Sequence, residues 1–411
     1  MSASGAFPYE TLSDLADVSG GVTLGRAVPE GASVELPYLR VANVQDGYID
    51  TADMKTVRVL QSEVSRFAVR RGDVLLTEGG DFDKLGRGAV WDGRLEPCLH
   101  QNHVFRVRCR ESVLLPEYLA LYLASDEGRR YFLSIAKQTT NLATINSSQL
   151  KAMPILSPPL AEQRRIVEVL AALALEERAI EAAIAKLNTV RHGVLISAIP
   201  VASDVVSDGD GAWPTVREVG EVRMGKQLSP SSKAFGTQLP YLRVANVFEG
   251  EISYGDVKEM GFSPSERQTY KLEPGDILLN EGQENLHMVG RSAIYEGAPG
   301  AYCFQNTLIR FRPGVDVLSD YAQAVFVAWR WRGVFARVAE KTSISHLGGT
   351  RFASLAFPKV SLESQRSIVG KLAAWDERIA SEQGALAKLR SVKSGVIDDL
   401  LSARVRLRDV A

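Results

Sequence analysis

Gly220 and Gly225-Lys226 stand at the spacing of a phosphate-binding loop, in which backbone amides cradle phosphates and a lysine neutralises them. That chemistry also needs a Ser or Thr hydroxyl for magnesium, and Gln227 occupies the place. Ser19-Gly20-Gly21-Val22, the matching stretch earlier in the chain, has no lysine at all, so Gly225 reads as a turn glycine. His100 and His103 are the one close pair among five histidines, the others being His192, His287 and His346. No Cys or acidic ligand stands at metal spacing beside that pair, which points to structural or hydrogen-bonding roles. Asp73 with Glu78, and Asp276 with Glu281, offer carboxylates of the kind a nuclease uses, but no Glu-x-Lys follows them. Strand-end and turn roles suit them better. The Gly-x-Ser-x-Gly nucleophile turn is missing, as is the Asn/Asp-Pro-Pro-Tyr/Phe tetrapeptide of amino-methyltransferases. The chain reads as non-catalytic, with no metal and no cofactor of its own.

The elements that would position such residues come in duplicate. Leu-Pro-Tyr-Leu-Arg-Val-Ala-Asn-Val occurs at Leu36–Val44 and again at Leu239–Val247. Gly72-Asp73-Val74-Leu75-Leu76-Thr77-Glu78-Gly79 returns as Gly275-Asp276-Ile277-Leu278-Leu279-Asn280-Glu281-Gly282. Gly86-Arg87 and Gln101-Asn102 return as Gly290-Arg291 and Gln305-Asn306. A period of about 200 residues far exceeds the roughly 20–50 of a solenoid repeat, so the chain is two copies of one domain-sized unit. Within each copy, short β-branched runs such as Val57–Leu60, Asp73–Leu76 and His103–Val107 predict strands, with Gly/Asp-rich turns between them. Leu115-Pro116-Glu117-Tyr118 opens a helical stretch.

Each copy closes on a long helix. The first is expected to start at Ser157-Pro158-Pro159, and its apolar positions are Ile166, Leu170, Leu173, Ile180, Ile184, Leu187 and Val194. This is the four-three spacing of a coiled-coil seam, interrupted by Glu177 and Arg191. The second helix repeats it with Ile368, Leu372, Trp375, Ile379, Leu386, Leu389, Val396 and Leu400. About 35 helical residues make a rod of roughly 50 Å. The two helices are expected to pack on each other antiparallel, about a pseudo-two-fold axis. Val201–Gly211 is a polar Gly/Asp/Ser-rich linker.

With 411 residues and 45% hydrophobic composition, two or three domains with real cores are expected. Cys98, Cys109 and Cys303 are odd in number, form no Cys-x-x-Cys pair and read as reduced thiols of a cytoplasmic protein. No run approaches the roughly 18 apolar residues of a membrane span, and the N-terminus lacks a signal-peptide pattern. The net charge of −1 is low for a nucleic-acid binder. A basic groove backed by acidic helices, or charge supplied by partner subunits, would reconcile the two.

The whole arrangement resembles the specificity subunit of Type I restriction-modification systems. The duplicated segments above carry the resemblance, with Pro158–Val167 (Pro-Pro-Leu-Ala-Glu-Gln-Arg-Arg-Ile-Val) opening the first long helix. The second helix opens Ser361-Leu362-Glu363-Ser364-Gln365-Arg366, keeping Gln-Arg without the prolines. The resemblance implies two tandem mixed α/β (α+β) target-recognition domains with a central antiparallel coiled coil. The expected division is 1–157 and 213–360 for the domains, 158–199 and 361–402 for the spacer helices, 200–212 for the linker and 403–411 for the tail. It implies that each domain reads one half of a bipartite double-stranded DNA target while the helices set the gap. Two methyltransferase subunits would dock and bring S-adenosylmethionine, and restriction subunits would bring ATP and magnesium.

Comparison of the copies then separates scaffold from reader. Arg40/Arg243 and Asn43/Asn246 are identical in domains that read different sequences, so they are structural or phosphate-contacting. The copies diverge at Asp81–Leu85 against Gln283–Met288, and at Gln138–Asn141 against Thr342–His346. These polar segments, with their flanking landmarks, make Lys84, Arg87, Lys137, Thr139, Thr140 and Asn141 the candidate DNA contacts of the first copy. Asn285, His287, Arg291, Lys341, Ser343, Ser345 and His346 are those of the second. Two rival readings stay open: a coiled-coil protein–protein adaptor without DNA contact, and a stand-alone DNA-modifying enzyme.

Overall fold

The computed structural model describes residues 7–80, 85–138, 143–200, 213–230, 236–283, 285–339 and 345–407. The chain forms two compact units, Met1–Glu181 with Gly384–Ala411, and Ala182–Gln383. Most of the linker anticipated at 200–212, and the end of the tail, lie outside the described residues.

In the first unit an antiparallel sheet runs in the order Ala16–Ser19, Val104–Cys109, Val74–Thr77, Gly88–Val90. A second sheet orders Lys55–Leu60, Ser33–Leu39, Cys98–His100 and Ala68–Val69. The helix Pro116–Ala124 packs on the first sheet, and Leu119 and Leu123 share a core with Val74, Leu76 and Phe105. The second unit rebuilds the first sheet as Gly220–Met224, Leu308–Pro313, Ile277–Asn280 and Ser292–Ile294. Its second sheet has three strands, Lys258–Phe262, Thr237–Leu242 and Cys303–Phe304. The helix Ser319–Trp331 buries Val325, Phe326 and Trp329 among Phe311, Phe352 and Phe357. Both units are therefore mixed α+β layers with equivalent four-stranded main sheets, while the second sheet has one strand fewer in the second unit among the described residues.

The duplicated motifs are the joints of this scaffold. Gly72 and Gly275 adopt φ of +89° and +91°, a left-handed conformation that a side chain resists. The turn delivers Asp73 and Asp276 into the core, each 1% exposed. Arg108 grips Asp73 through two bonds of 2.7 Å, and Arg312 grips Asp276 at 2.6 and 2.7 Å. Of the carboxylates weighed as nuclease ligands, the two aspartates are thus consumed by guanidinium groups. Gly86 and Gly290 also have positive φ, and a Cβ there would strike the rings of Phe132 and Phe335 within 2.3 and 2.1 Å. In the repeated nonapeptide, the buried Asn43 accepts from the Arg40 amide and donates to the Asp50 and Asp53 carbonyls. Asn246 does the same with Arg243, Ser253 and Asp256.

Leu160–Ala198 and Leu362–Leu401 are unbroken helices of 39 and 40 residues. In the first unit Ile166 and Leu170 join Leu400 and Leu401 in one core, and Glu177 pairs with Arg390 and Lys393 at 2.7 Å each. In the second unit Leu195 and Leu372 share a core, and Arg191 pairs with Asp376. Partners fall in number as the first helix rises, which is antiparallel packing. Ile166, Leu170, Leu372, Ile379 and Leu386 are buried; Leu173, Ile180, Ile184, Leu187, Ile368, Trp375 and Leu389 are half-buried. Glu177 and Arg191, which interrupt the apolar pattern, occupy seam positions themselves and are neutralised across it. The Arg390 guanidinium and the Lys393 ammonium hold the Glu177 carboxyl below its usual range.

Gln163 and Gln365, shared by the two helix openings, are fully buried brackets. Gln163 Oε1 accepts from the Leu115 amide at 2.9 Å, and its Nε2 donates to the Val113 and Pro158 carbonyls at 2.8 Å. Gln365 accepts from the Leu318 amide and donates to the Asp316 and Val360 carbonyls at 2.8–2.9 Å. Each bracket ties a long helix to the loop that opens its unit's shorter helix.

Candidate functional site

In each unit the strand that carries the Gly-Asp motif leaves the main sheet at a glutamate and enters a second, small sheet. The Glu78 amide bonds to the His103 carbonyl on one side, and the Glu78 carbonyl accepts from Ile145 on the other. Glu281 repeats this with Thr307 and Leu347. Beyond Glu78, Gly79–Gly80 pairs with Ala143–Thr144, which pairs with Lys137–Gln138. Gly79 lies so close to that neighbour that a Cβ would sit 2.9 Å from the Ala143 carbonyl oxygen. Beyond Glu281, Gly282–Gln283 pairs with Ser345–His346. The two divergent segments of each copy, far apart in sequence, therefore spring from one small sheet.

Of the predicted contacts in the first copy, Lys84, Thr139, Thr140 and Asn141 lie outside the described residues. Lys137 is placed as a strand residue by its backbone. Arg87 is half-buried and donates to Gln45 Oε1 at 3.1 Å. In the second copy Lys341 and Ser343 lie outside the described residues. Ser345 is placed in its strand and His287 in a short 3-10 turn, by backbone alone. Asn285 is exposed. Arg291 is half-buried, its guanidinium 5.0 Å from the Phe248 ring centroid, a cation–π contact. His346 Nδ1 lies 2.8 Å from Glu281 Oε2. Arg40 and Arg243 are half-buried and paired with Asp53 and Asp256. The pairing gives Arg40 and Arg243 a structural partner within their own loops.

His100 and His103, close in sequence, have different surroundings. His103 is exposed, with Nδ1 2.6 Å from Glu78 Oε2. His100 is wholly buried, its Nδ1 2.8 Å from the Phe67 carbonyl, and burial lowers its pKa to about 4. Glu78 and Glu281, for which strand-end and turn roles are expected, each also face a histidine ring. The signal available was a glutamate kept in both copies while the histidines around it moved.

Lys226 does not form a phosphate loop. Its ammonium donates to the Gly261 carbonyl and Glu266 at 2.7 Å, and Gly225 packs where a Cβ would lie 2.2 Å from the Gln305 carbonyl oxygen. Gly225 is thus required by a close backbone approach rather than a turn. Among the described residues no group of three or more His, Cys, Asp or Glu is placed to hold a metal. No helix among them is long and apolar enough to cross a membrane. The three cysteines are free and buried, and burial pushes their thiols up to about 12 (Cys98, Cys109) and about 11 (Cys303). A maleimide at pH 7 is expected to label none of them in the native chain and all of them after denaturation, read by mass spectrometry.

Residues 8–189 match the family of the Type I restriction modification DNA specificity domain. The protein named as the type I restriction enzyme MjaX specificity subunit of Methanocaldococcus jannaschii is 22% identical, over 90% of this chain and 88% of that one. The EcoKI specificity subunit of Escherichia coli is 27% identical over 41% of this chain and 38% of its own length. The HsdS subunit of Thermoanaerobacter tengcongensis superposes with a TM-score of 0.58 at 18% identity, covering 97% of both chains. A solved chain of a type I R-M system gives 0.69 at 18% identity, covering 98% of this chain and 99% of that chain. A doubled scaffold, two antiparallel long helices and these relatives agree: residues 8–189 match the family of the Type I restriction modification DNA specificity domain, and the chain along most of its length is similar to specificity subunits of Type I restriction-modification systems.

Proposed function

We propose that this chain is the DNA-reading, non-catalytic subunit of a Type I restriction-modification complex, each unit reading one half of a bipartite target. The observation that supports it best is the convergence of the divergent segments. On a scaffold whose joints are the same in both units, the two polar segments that differ beside those joints leave, in each unit, one small sheet. Two similar frames carrying different polar loops suit the reading of two different base sequences. The long helices would set the gap between half-sites and receive two methyltransferase subunits. S-adenosylmethionine, ATP and magnesium would belong to the methyltransferase and restriction subunits. Sharing phosphate neutralisation with those partners accounts for a chain with 48 basic and 49 acidic residues.

The test is to co-express the chain with its methyltransferase subunit and sequence the modified DNA. A two-part motif with a fixed gap, lost when this chain is omitted, is expected; a stable complex that modifies and binds no DNA would overturn the reading. One heptad inserted into each helix, after Glu181 and after Gln383, lengthens the rod by about 10 Å. At about 3.4 Å per base pair the gap should grow by about three base pairs with both half-sites unchanged. Altered half-sites at constant gap would refute the ruler role of the helices.

A further inference from the structure

We propose that His103 and His346 are base-edge readers, one in each unit, each aimed by the glutamate that ends the Gly-Asp motif. The inference rests on the DNA-reading function above and assigns specificity-determining residues within it. In both pairs Nδ1 faces a carboxylate oxygen, at 2.6 Å in Glu78–His103 and 2.8 Å in Glu281–His346. A carboxylate only accepts, so Nδ1 carries the proton, and in the neutral ring Nε2 is left as an acceptor. The glutamates are the more buried partners, with side chains 31% and 14% exposed against 55% and 44% for the histidines. Each ring is thus gripped from inside and open outside, beside the small sheet from which the divergent loops spring. An acceptor held in this way matches the exocyclic amino group of cytosine or adenine in the major groove.

The two units place the ring on opposite sides of the same glutamate. His103 lies on the side where the second unit has Thr307, since Glu78 and Glu281 bond to those two residues through equivalent amides. His346 lies on the other side, where the first unit has Thr144: Thr144 pairs with Gly79 as His346 pairs with Gly282. A histidine and a threonine have exchanged places around a fixed acid. The fold needs no ring at either position, because each unit carries threonine where the other carries histidine. A ring moved from one side of a fixed carboxylate to the other presents its acceptor at a different point, as two domains reading different bases require.

The test uses the full chain in complex with its methyltransferase subunits, by methylation mapping and by binding to cognate duplexes and single-base variants of them. Threonine is the replacement, since the mirrored positions already tolerate it. His346→Thr should lose about 5- to 150-fold discrimination at one base pair of one half-site, with the other half-site unchanged. His103→Thr should do the same in the other half-site. Glu281→Gln, which loosens the aim of the ring, should give a smaller loss at the same base pair as His346→Thr. Combined with His346→Thr it should add nothing. Unchanged motifs in folded variants, or weakening that is uniform across all duplexes, would overturn the proposal while leaving the DNA-reading function intact. A wild-type complex with no bipartite motif would overturn both.

Discussion

Acidification from pH 7 to pH 4 is expected to remove about 3 kcal/mol of stability from the first unit through His100 alone. The imidazole sits in the core, fully buried, and burial holds its pKa at about 4. In the unfolded chain the same ring takes a proton near pH 6.5. The folded value lies below the unfolded one, so as pH falls through 6.5 the unfolded state gains a proton that the folded state refuses. The loss begins there, is complete near pH 4, and is absent above 6.5. The second unit has Phe304 at the matching register, opposite Leu242 as His100 is opposite Leu39, and lacks this liability. His100→Phe should therefore flatten the pH dependence of the urea midpoint between 6.5 and 4, followed through the fluorescence of Trp91, which is buried in the first unit. At neutral pH the replacement leaves the Phe67 carbonyl without its donor, at a cost of about 1 kcal/mol or more. Equal pH dependence in both proteins would show that His100 is not the titrating group.

Gln163→Glu should destabilise the first unit by about 4 kcal/mol at pH 8. The new side chain still accepts from the Leu115 amide, but an oxygen replaces the nitrogen that donates to the Val113 and Pro158 carbonyls. Two buried bonds become oxygen–oxygen repulsions. Burial raises the pKa of such a carboxyl, so the deficit should shrink toward pH 5, where the protonated acid donates to one carbonyl. Gln365→Glu should do the same in the second unit, and the double variant should be close to additive, since the brackets share no partner. Arg164→Ala, at an exposed neighbour, should change stability by less than about 0.5 kcal/mol. A Gln163→Glu effect no larger than that control would mean that the bracket does not hold the helix to its domain.

The duplication and the helix pairing were legible in sequence because they depend on identity and on spacing. Ile166, Leu170, Leu372, Ile379 and Leu386 announce themselves by apolar period, and all are buried. Glu177 and Arg191 looked like gaps in that period; their partners, Arg390 with Lys393 and Asp376, lie so far along the chain that no local pattern shows the charges meeting. The buried ion pairs Asp73–Arg108 and Asp276–Arg312 were hidden similarly, since a strand-end aspartate reads alike whether exposed or gripped. Loop divergence pointed to where the copies differ, but only three-dimensional pairing shows that both loops of a copy share one sheet. The roles of His100 and His103 could not be told apart by spacing, because adjacent strand and turn positions face core and solvent respectively.

The helices that pass through both compact units also govern timing. The first unit is completed by Gly384–Ala411, which the ribosome makes only after the second unit. At about 5–20 residues per second, the roughly 200 residues in between take about 10–40 s to appear. Through that interval Ile166 and Leu170 pack on the first unit's core without Leu400 and Leu401, and Glu177 is without Arg390 and Lys393, while the second unit emerges behind them. The core of the first unit is thus closed off only after the second unit has been made. The charges at Glu177 and Glu181, later matched by Arg390, suit that wait, since they keep an unpaired seam from presenting a continuous apolar stripe.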